Sequence, residues 1–347
     1  MNATKIVLDL LRLSGAARFL RSRCAGVGVL LTLHHVRPLP LLRPFSPNRI
    51  LEISPDFLEA AILELRLLGY AFVSLDEFHR RMVERDFSQK FVSFTLDDGY
   101  VDNFTHAYPI FERHKVPFAV YLCTGILDGT AKLWWRELEE IVQKAEAVEV
   151  ELNGSVESFT TTTTAEKFKA FNRVYWQLRA MPLGQQLDTM QALREKYDHS
   201  FDSLDSEPLT WEMVSEMQAS GLLTIGGHTV NHYALSKLSS ESLYDEIERG
   251  CEIIREHTDV RPRHFAYPYG DRGSAGKREF AAARDAGFAT AVTTRKGVVV
   301  PDQANELFGI PRISLNGDYQ RLRYLRTLMT GVPTALYLRF RRSEVTC

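Results

Sequence analysis

The feature that most constrains the fold is an alternation of short apolar runs with amphipathic segments of helical periodicity. Eight runs are apolar enough to form buried strands, at residues 27–33, 71–74, 91–96, 117–123, 222–226, 264–267, 288–293 and 308–313. Several are apolar throughout, which is typical of strands covered on both faces. Clear helices are predicted at 55–68, with Ser54 as N-cap and Pro55 in the first turn, and at 240–257. The pattern predicts βα units around a parallel sheet or barrel.

Residues 128–208 break this rhythm. Only 148–152 resembles a strand there, helical patterns cover 165–180 and 183–197, and the threonine run 160–164 reads as a loop or a helix start. We therefore expect one α/β barrel over residues 25–317 with a helical insertion at about 128–208. The chain of 347 residues, 45% of them apolar and 25% charged, is long enough for a full core and excludes collagen-like and wholly disordered classes.

The two ends of the chain are basic. Residues 1–50 and 318–347 carry net charges of +7 and +4, whereas the residues between them carry −13. We expect a basic amphipathic helix at 1–24 and a basic C-terminal segment at 318–347. These ends would contact an anionic membrane surface or glycan, or they are simply solvated helix faces. The helix at 1–24 would lie at a membrane interface or dock on its own domain.

The beginning of the sequence does not resemble a signal peptide, because Asp9 and Arg12 interrupt its apolar residues. No run reaches the roughly 18 apolar residues of a spanning helix. The expected location is cytoplasmic, with the inner face of the membrane as the site of any contact through the basic ends. A nucleic-acid role is not expected, because the basic residues lie at the termini without a known binding motif.

Two adjacent carboxylates end one predicted strand. The run 91–96 leads directly into Asp97 and Asp98, followed by Gly99 and Tyr100. Carboxylates this close repel each other and need a cation or a proton. In α/β barrels the carboxyl ends of the strands face the active site. The alternative is an exposed Asp-Asp-Gly turn.

A second polar cluster, GGHTVNH, follows the run 222–226. If a helical turn starts after the glycines, His228 and His232 lie on one face, four residues apart, and can bind one metal ion. Two unrelated surface histidines would give the same spacing. Joined by a carboxylate, the pair would leave one position open, which is typical of catalytic zinc, and a second aspartate would be free to act as base. Four scattered cysteines without a CxxC pair argue against a thiolate site and a disulfide framework.

A third strand runs into the turn FAYPYG at residues 265–270. Proline and glycine fix a sharp backbone path there, which would aim the amide N–H of Tyr269 at a developing oxyanion. A barrel turn with packed aromatic side chains is the alternative.

TLDDGY, HTVNH and FAYPYG, in this order, resemble three motifs of the polysaccharide deacetylase family (the NodB-homology domain, carbohydrate esterase family 4) over roughly residues 28–315. The resemblance implies a distorted (β/α) barrel of about seven strands. It also implies removal of acetyl groups from glycans with a divalent metal, most often Zn²⁺. By position, it makes Asp97 the catalytic base, Asp98, His228 and His232 the metal ligands, and the backbone N–H of Tyr269 the oxyanion donor.

The sequence departs from the family pattern at two places. The third motif lacks its usual arginine close to the proline, and no histidine follows His264 to supply the general acid of the last motif. The first predicted strand instead ends in His34 and His35. This resembles the permuted branch of the family, which includes exopolysaccharide poly-N-acetylglucosamine deacetylases and takes that histidine from an N-terminal strand. His34 is the predicted acid and His35 its alternative, unless the pair merely caps a strand.

Two further groups have open roles. Arg312, at another predicted strand end, would pair with Asp97 and keep it ionised and oriented, or would form a structural salt bridge. Trp134 and Trp135 would stack on a sugar ring or anchor a helix in a core.

The expected function is a metal-dependent hydrolase that removes N-acetyl groups from an acetamido sugar of a bacterial surface polysaccharide or of its precursor. An O-acetyl esterase using the same site and a non-catalytic glycan-binding barrel are the alternatives. A glycosidase needs carboxylates roughly 5–9 Å apart across the scissile bond, which sequence neighbours such as Asp97 and Asp98 do not naturally supply.

Overall fold

The computed structural model describes residues 3–38, 44–197 and 208–344 and divides into two compact units. Unit 1 comprises Met1–Pro38, Leu51–Thr130 and Pro208–Cys347, and unit 2 comprises Leu39–Ile50 and Ala131–Glu207. The strands are β1 Gly28–Leu33, β2 His35–Val36, β3 Glu52–Ile53, β4 Ala71–Phe72, β5 Phe91–Asp98, β6 Phe118–Leu122, β7 Ala147–Leu152, β8 Ser155–Thr160, β9 Leu223–Gly227, β10 His264–Ala266, β11 Thr290–Lys296 and β12 Ile310–Ser314. The helices are α1 Ala3–Leu13, α2 Ala16–Cys24, α3 Pro55–Leu67, α4 Leu75–Glu84, α5 Tyr108–His114, α6 Thr124–Leu127, α7 Trp134–Lys144, α8 Thr164–Ala180, α9 Leu183–Lys196, α10 Trp211–Ala219, α11 Ser240–Thr258, α12 Lys277–Asp285, α13 Leu322–Leu328 and α14 Val332–Glu344.

Unit 1 is built on a closed parallel barrel. Its strands follow the order β1, β12, β11, β10, β9, β6 and β5, and β5 closes the ring by pairing with β1, from Gly28 opposite Phe91 to Leu33 opposite Leu96. Every residue of β1 and β5 is buried, as expected for strands covered on both faces. The seven-stranded (β/α) barrel confirms the predicted fold class. The eighth predicted strand, at 71–74, shortens to β4, which pairs with the start of β5.

The helix after β3 shows how local sequence sets these elements. The side chain of Ser54 accepts a hydrogen bond from the N–H of Phe57, and Pro55 occupies the first turn. One face of α3 then packs into the core of the unit, where Leu58, Ile62 and Leu65 are fully buried. Burying each of these side chains contributes about 1.5–3 kcal/mol. The predicted bounds, 55–68, agree with the observed helix to one residue.

Unit 2 contains a β-hairpin, and the predicted helical insertion included only the first of its two strands. Strand β7 covers the predicted 148–152, but its antiparallel partner β8 was not predicted. The turn between them is Asn153-Gly154, and both residues have positive φ, 54° and 77°. Asn-Gly is the preferred sequence for a two-residue hairpin turn of this kind. Helices α8 and α9 lie where helical patterns were predicted, and Thr163 caps α8 together with Glu166.

The N-terminal segment forms two helices, where a single one was expected. The break falls at Gly15, whose φ of +72° is a left-handed conformation that glycine adopts at little cost. Helices α13 and α14 of the C-terminal segment pack against α1 and α2. Among residues 3–38, 44–197 and 208–344, no helix combines the length and apolar character needed to cross a bilayer.

Candidate active site

The two adjacent carboxylates lie at the carboxyl end of β5, and both are buried. Asp97 forms a bidentate ion pair with Arg312 of β12, whose two guanidinium nitrogens lie 2.7 and 2.6 Å from the two carboxylate oxygens. Arg312 is itself buried and also donates to Oγ1 of Thr95 and to the carbonyl of Thr293, both at 3.0 Å. The predicted pairing of Arg312 with Asp97 is thus present, and the guanidinium is held in place from several strands.

This pairing determines the charge of Asp97. Burial by itself would raise the pKa of the carboxyl, but the charge and hydrogen bonds of Arg312 outweigh it, with help from His34 and His228, so that the pKa lies below its usual value. Thr32 adds a donor at 3.4 Å. Asp97 is therefore an oriented carboxylate at neutral pH, as a general base must be.

Asp98 faces the two histidines of the second motif. Its Oδ1 lies 3.3 Å from Nε2 of His228 and 3.3 Å from Nε2 of His232, and one ligand atom from each residue lies within 4.8 Å of the others. All three side chains are buried. Burial would raise the pKa of Asp98, but the neighbouring imidazoles hold it well below its usual value.

The donor set fits a divalent cation. Nδ1 of His228 lies 2.6 Å from the carbonyl of Ala266, so Nδ1 carries the proton and donates it there. In the neutral ring Nε2 presents a lone pair towards Asp98, whose buried Oδ1 accepts no hydrogen bond from the residues that the structure describes. Burial alone would lower the pKa of His228, but the neighbouring Asp98 outweighs burial and raises this pKa. Lone pairs facing one another in a buried space are stabilised by a cation between them. Burial lowers the pKa of His232, which favours the neutral ring that metal ligation needs.

The segment that carries the two histidines is not the helical turn suggested by their spacing. His228 follows β9 directly, and the chain then passes through Thr229 and His232 with φ of 65° and 57°. The Thr229 hydroxyl accepts a hydrogen bond from the N–H of His232 at 3.1 Å. The histidines therefore meet through a tight irregular turn, although HxxxH spacing is more familiar on a helix.

Helix α11 holds this turn in place through a buried carboxylate that sequence reasoning did not identify. Glu246 accepts hydrogen bonds from the N–H groups of Val230 and Asn231, at 3.1 and 2.9 Å, and from the Asn231 side chain at 2.6 Å. One helical turn further, Gly250 allows close approach, because a Cβ there would lie 3.1 Å from the Thr229 carbonyl carbon. Glu246 and Gly250 thus fix the position of the residues between the histidines.

Several residues of the site have strained backbone conformations. Asp98, Thr229, His232 and Tyr269 all have φ between 57° and 78°, a region that non-glycine residues rarely adopt. Such conformations persist where the surrounding structure imposes them, and they concentrate at functional sites. The strained positions belong to all three sequence motifs.

The structure separates the two candidate histidines at the end of β1. Nε2 of His34 lies 3.9 Å from Oδ2 of Asp97, and its ring is partly exposed. Burial lowers the pKa of His34, against the opposing effect of Asp98 and Asp97. The His35 ring is buried, with Nδ1 2.7 Å from Asp102 and its face stacked on Tyr100 at 3.7 Å. Only His34 therefore borders the carboxylate pair.

Two neighbours support this corner of the barrel and were not predicted. Asp102 also accepts a hydrogen bond from the N–H of Val36 at 3.1 Å, and Asn103 donates to the carbonyl of His34 at 2.7 Å. They lie just beyond the Asp-Asp-Gly-Tyr motif, and Asn103 begins a π-helical turn. The loop after β5 thus positions the loop after β1.

Tyr269 also lies at the site. Its ring meets the ring of His232 edge to face, 4.8 Å between centroids, and its carbonyl accepts a hydrogen bond from Thr294 at 2.6 Å. The assignment of its N–H as oxyanion donor stays a prediction.

The tandem tryptophans belong to unit 2. Trp134 and Trp135 are both buried at the start of α7, and the Trp134 ring lies 5.0 Å from that of Tyr175. Of the two predicted roles, anchoring a helix fits these contacts.

Comparison with known proteins gives a consistent result. The family model described as polysaccharide deacetylase matches residues 84–192 and 191–291. The polysaccharide deacetylase homologue YxkH of Bacillus subtilis (strain 168) is 23% identical over 147 residues, which cover 40% of this chain and 53% of YxkH. The chain thus aligns with about half the length of that relative.

Solved structures share the fold. The deacetylase PplD of Streptococcus pyogenes, in complex with acetate, is 17% identical with a TM-score of 0.58, covering 86% of this chain and 97% of that one. IcaB from Ammonifex degensii is 20% identical with a TM-score of 0.55 and coverage of 87% and 97%. A de-N-acetylase from Aggregatibacter actinomycetemcomitans is 16% identical with a TM-score of 0.54 and coverage of 86% and 99%.

The family match is the more specific of these findings. It covers more than half of the chain and includes the carboxylate pair after residue 96, both histidines and the 265–270 turn. It agrees with the enzyme class expected from the sequence motifs. The chain therefore belongs to the polysaccharide deacetylase family.

Proposed function

We propose that the protein is a metal-dependent deacetylase that hydrolyses the N-acetyl group of an acetamido sugar in a polysaccharide or its precursor. One observation carries the proposal. A buried Asp98–His228–His232 set, with its ligand atoms within 4.8 Å, adjoins a second buried carboxylate, Asp97, that an arginine keeps charged. Each carboxylate has its own partners, so the two can take different roles.

The proposed ligands are Asp98, His228 and His232, and Zn²⁺ is the preferred ion because one carboxylate and two imidazoles are a common catalytic zinc set. When bound, a divalent cation would supply Lewis-acid polarisation of the acetyl carbonyl and of the attacking water. Other first-row ions accept the same donors, so reconstitution should compare several.

The residues of the chain then divide the proton transfers. Asp97, oriented by Arg312, takes a proton from the attacking water as its oxygen bonds to the acetyl carbon. The N–H of Tyr269 would donate to the developing oxyanion. His34, 3.9 Å from Asp97, donates a proton to the nitrogen as the C–N bond breaks, giving acetate and a free amine. A lowered pKa makes the protonated ring of His34 a strong donor.

An acid at His34 favours amide over ester hydrolysis, because a leaving amine depends on protonation more strongly than a leaving alcohol. A glycan-binding barrel without chemistry would not need an arginine to hold a buried base charged. The cytoplasmic location stays part of the proposal, and fractionation of cells that express the protein tests it.

The test is acetate release from a panel of N- and O-acetylated oligosaccharides and sugar nucleotides, with the metal removed by a chelator and then restored. Asp97→Asn should keep stoichiometric metal and lose nearly all turnover. Asp245→Asn, an exposed carboxylate on α11, is the matched control. Unimpaired acetate release by Asp97→Asn would refute the base assignment, and activity that survives complete metal removal would refute metal dependence.

A further inference from the structure

The N-terminal helix pair turns its large apolar side chains outwards. In α1, Ile6, Val7, Leu10 and Leu13 are exposed, with 61% of Leu10 and 71% of Leu13 accessible to solvent, and Phe19 in α2 is 83% exposed. Ile6, Leu10 and Leu13 are spaced by four and three residues and therefore share one side of the helix. We call these five residues the N-terminal apolar face.

The rest of unit 1 does not need this face to hold α1. The side of the helix that packs on the unit presents Leu8, which is buried, and Asp9, which is partly exposed. Asp9 accepts a hydrogen bond from the Tyr324 hydroxyl at 3.2 Å and pairs with Arg323 at 3.2 Å. A surface helix normally directs its apolar stripe inwards and its charges outwards. Helix α1 buries Leu8 but leaves a second apolar stripe accessible to solvent, so this stripe is available to another surface.

The charges around the N-terminal apolar face indicate which kind of surface it binds. Arg12, Arg18 and Arg23 are exposed on the two helices, and exposed Arg339 lies on α14, which packs against α2. Asp9, the acid within 3–24, pairs with Arg323 of α13 at 3.2 Å and with Arg12 at 3.8 Å, so it offsets part of the charge of Arg12 but not that of Arg18, Arg23 or Arg339. Exposed apolar side chains flanked by arginines fit an anionic bilayer, where the apolar groups enter the interface and the guanidinium groups meet lipid phosphates.

A second copy of the chain is a poorer occupant. A two-fold dimer places the same patch on both sides of the interface. The arginines of one copy would then face those of the other, and like charges at short range oppose association.

We propose that the N-terminal apolar face binds peripherally to the surface of an anionic bilayer, with α1 lying along the interface. This goes beyond the proposed deacetylase function and does not depend on it. Binding should weaken as NaCl rises from about 0.1 to 0.5 M, because screening shortens the reach of the arginines.

The test is co-sedimentation of the full chain with vesicles of phosphatidylcholine, alone or mixed with phosphatidylglycerol. The wild type should bind the mixed vesicles preferentially. The triple variant Leu10→Ser, Leu13→Ser, Phe19→Ser should bind them at least about tenfold more weakly, because it removes the groups that enter the interface. Leu67→Ser is the matched control, since Leu67 is 84% exposed on α3, and it should bind like the wild type.

Further measurements separate the alternatives. Arg18→Gln with Arg23→Gln should reduce the preference for anionic vesicles. Far-ultraviolet circular dichroism and acetate release from a soluble substrate should be unchanged in the triple variant, which shows that it folds. Failure of the wild type to bind, or wild-type binding by the triple variant, would overturn the proposal. A dimer in sedimentation velocity that the triple variant dissociates would also overturn it, in favour of a homodimer interface.

Discussion

Replacing Arg312 by Met should show how much the buried ion pair contributes to the free energy of unfolding. Because the pair is buried, solvent does not replace the missing guanidinium beside Asp97. Arg312 and Asp97 are 1% and 2% exposed, and two short hydrogen bonds join them. Met approximates the length of the arginine stem and removes only the charged head. Asp97→Asn on its own removes the other charge with almost no change in shape.

The magnitude follows from which charge is left behind. Arg312→Met leaves a buried carboxylate without its cation, and breaking a buried pair in this way costs about 3–5 kcal/mol of unfolding free energy. In the Asp97→Asn background no carboxylate remains, so the same substitution should cost only about 1–2 kcal/mol, mainly from the lost hydrogen bonds to Thr95 and Thr293. The coupling energy between the two positions should therefore be about 2–3 kcal/mol.

The assay is a double-mutant cycle from urea unfolding of the wild type, the two single variants and the double variant. All four are measured with a chelator present, so that metal binding does not enter the comparison. If the unfolding free energies of the four proteins have the same slope against urea concentration, the proteins expose similar surface areas on unfolding and their free energies can be compared. A cost below about 1 kcal/mol for Arg312→Met, or an equal cost in both backgrounds, would refute the claim that the guanidinium holds a charged carboxylate. In acetate-release assays Arg312→Met should also lose turnover while retaining metal.

Three other predictions address neighbouring roles. His34→Gln should reduce kcat by about 100- to 10,000-fold without changing the free energy of unfolding, as loss of a general acid does. His35→Gln should instead lower the free energy of unfolding by about 1–3 kcal/mol, because a buried hydrogen bond is lost. If kinetics and urea unfolding gave the opposite result for the two variants, the roles of the two histidines would be exchanged. Glu246→Gln should weaken Zn²⁺ binding by about tenfold in calorimetry, whereas exposed Glu252→Gln on the same helix should not, and equal affinities would contradict a positioning role. Asp98→Asn should abolish stoichiometric metal in elemental analysis, and retained metal would remove it from the ligand set.

The barrel was predictable because its information is local. Apolar runs covered on both faces differ from amphipathic helices in any short window, so each predicted strand overlaps an observed one. The short β4 is an exception in length, since its residues are only half-buried. The hairpin strand 155–160 was missed because its exposed, polar side chains lack an apolar run, although Asn153-Gly154 marked the turn.

The site was predictable only in part, for a related reason. Asp97, Asp98 and the two histidines stand out because chemistry-bearing residues cluster at strand ends. Glu246 carries no such mark, since it lies inside an ordinary amphipathic helix, and its function depends on a contact with a turn 15 or 16 residues earlier. Contacts of this kind are set by how α11 packs against β9, which sequence periodicity does not describe.

The backbone at Asp98 explains how adjacent carboxylates serve one site. In a regular strand successive side chains point to opposite faces, which would direct only one of the pair to the site. Asp98 has φ of 78°, so the alternation ends there, and its side chain meets His228 and His232 while Asp97 meets Arg312. Because Asn tolerates this conformation better than most residues, Asp98→Asn removes the charge and keeps the turn, whereas Ala would change both. Loss of metal by Asp98→Asn with an unchanged unfolding midpoint would therefore assign the effect to the carboxylate, and a shared loss of metal and stability would assign it to the backbone.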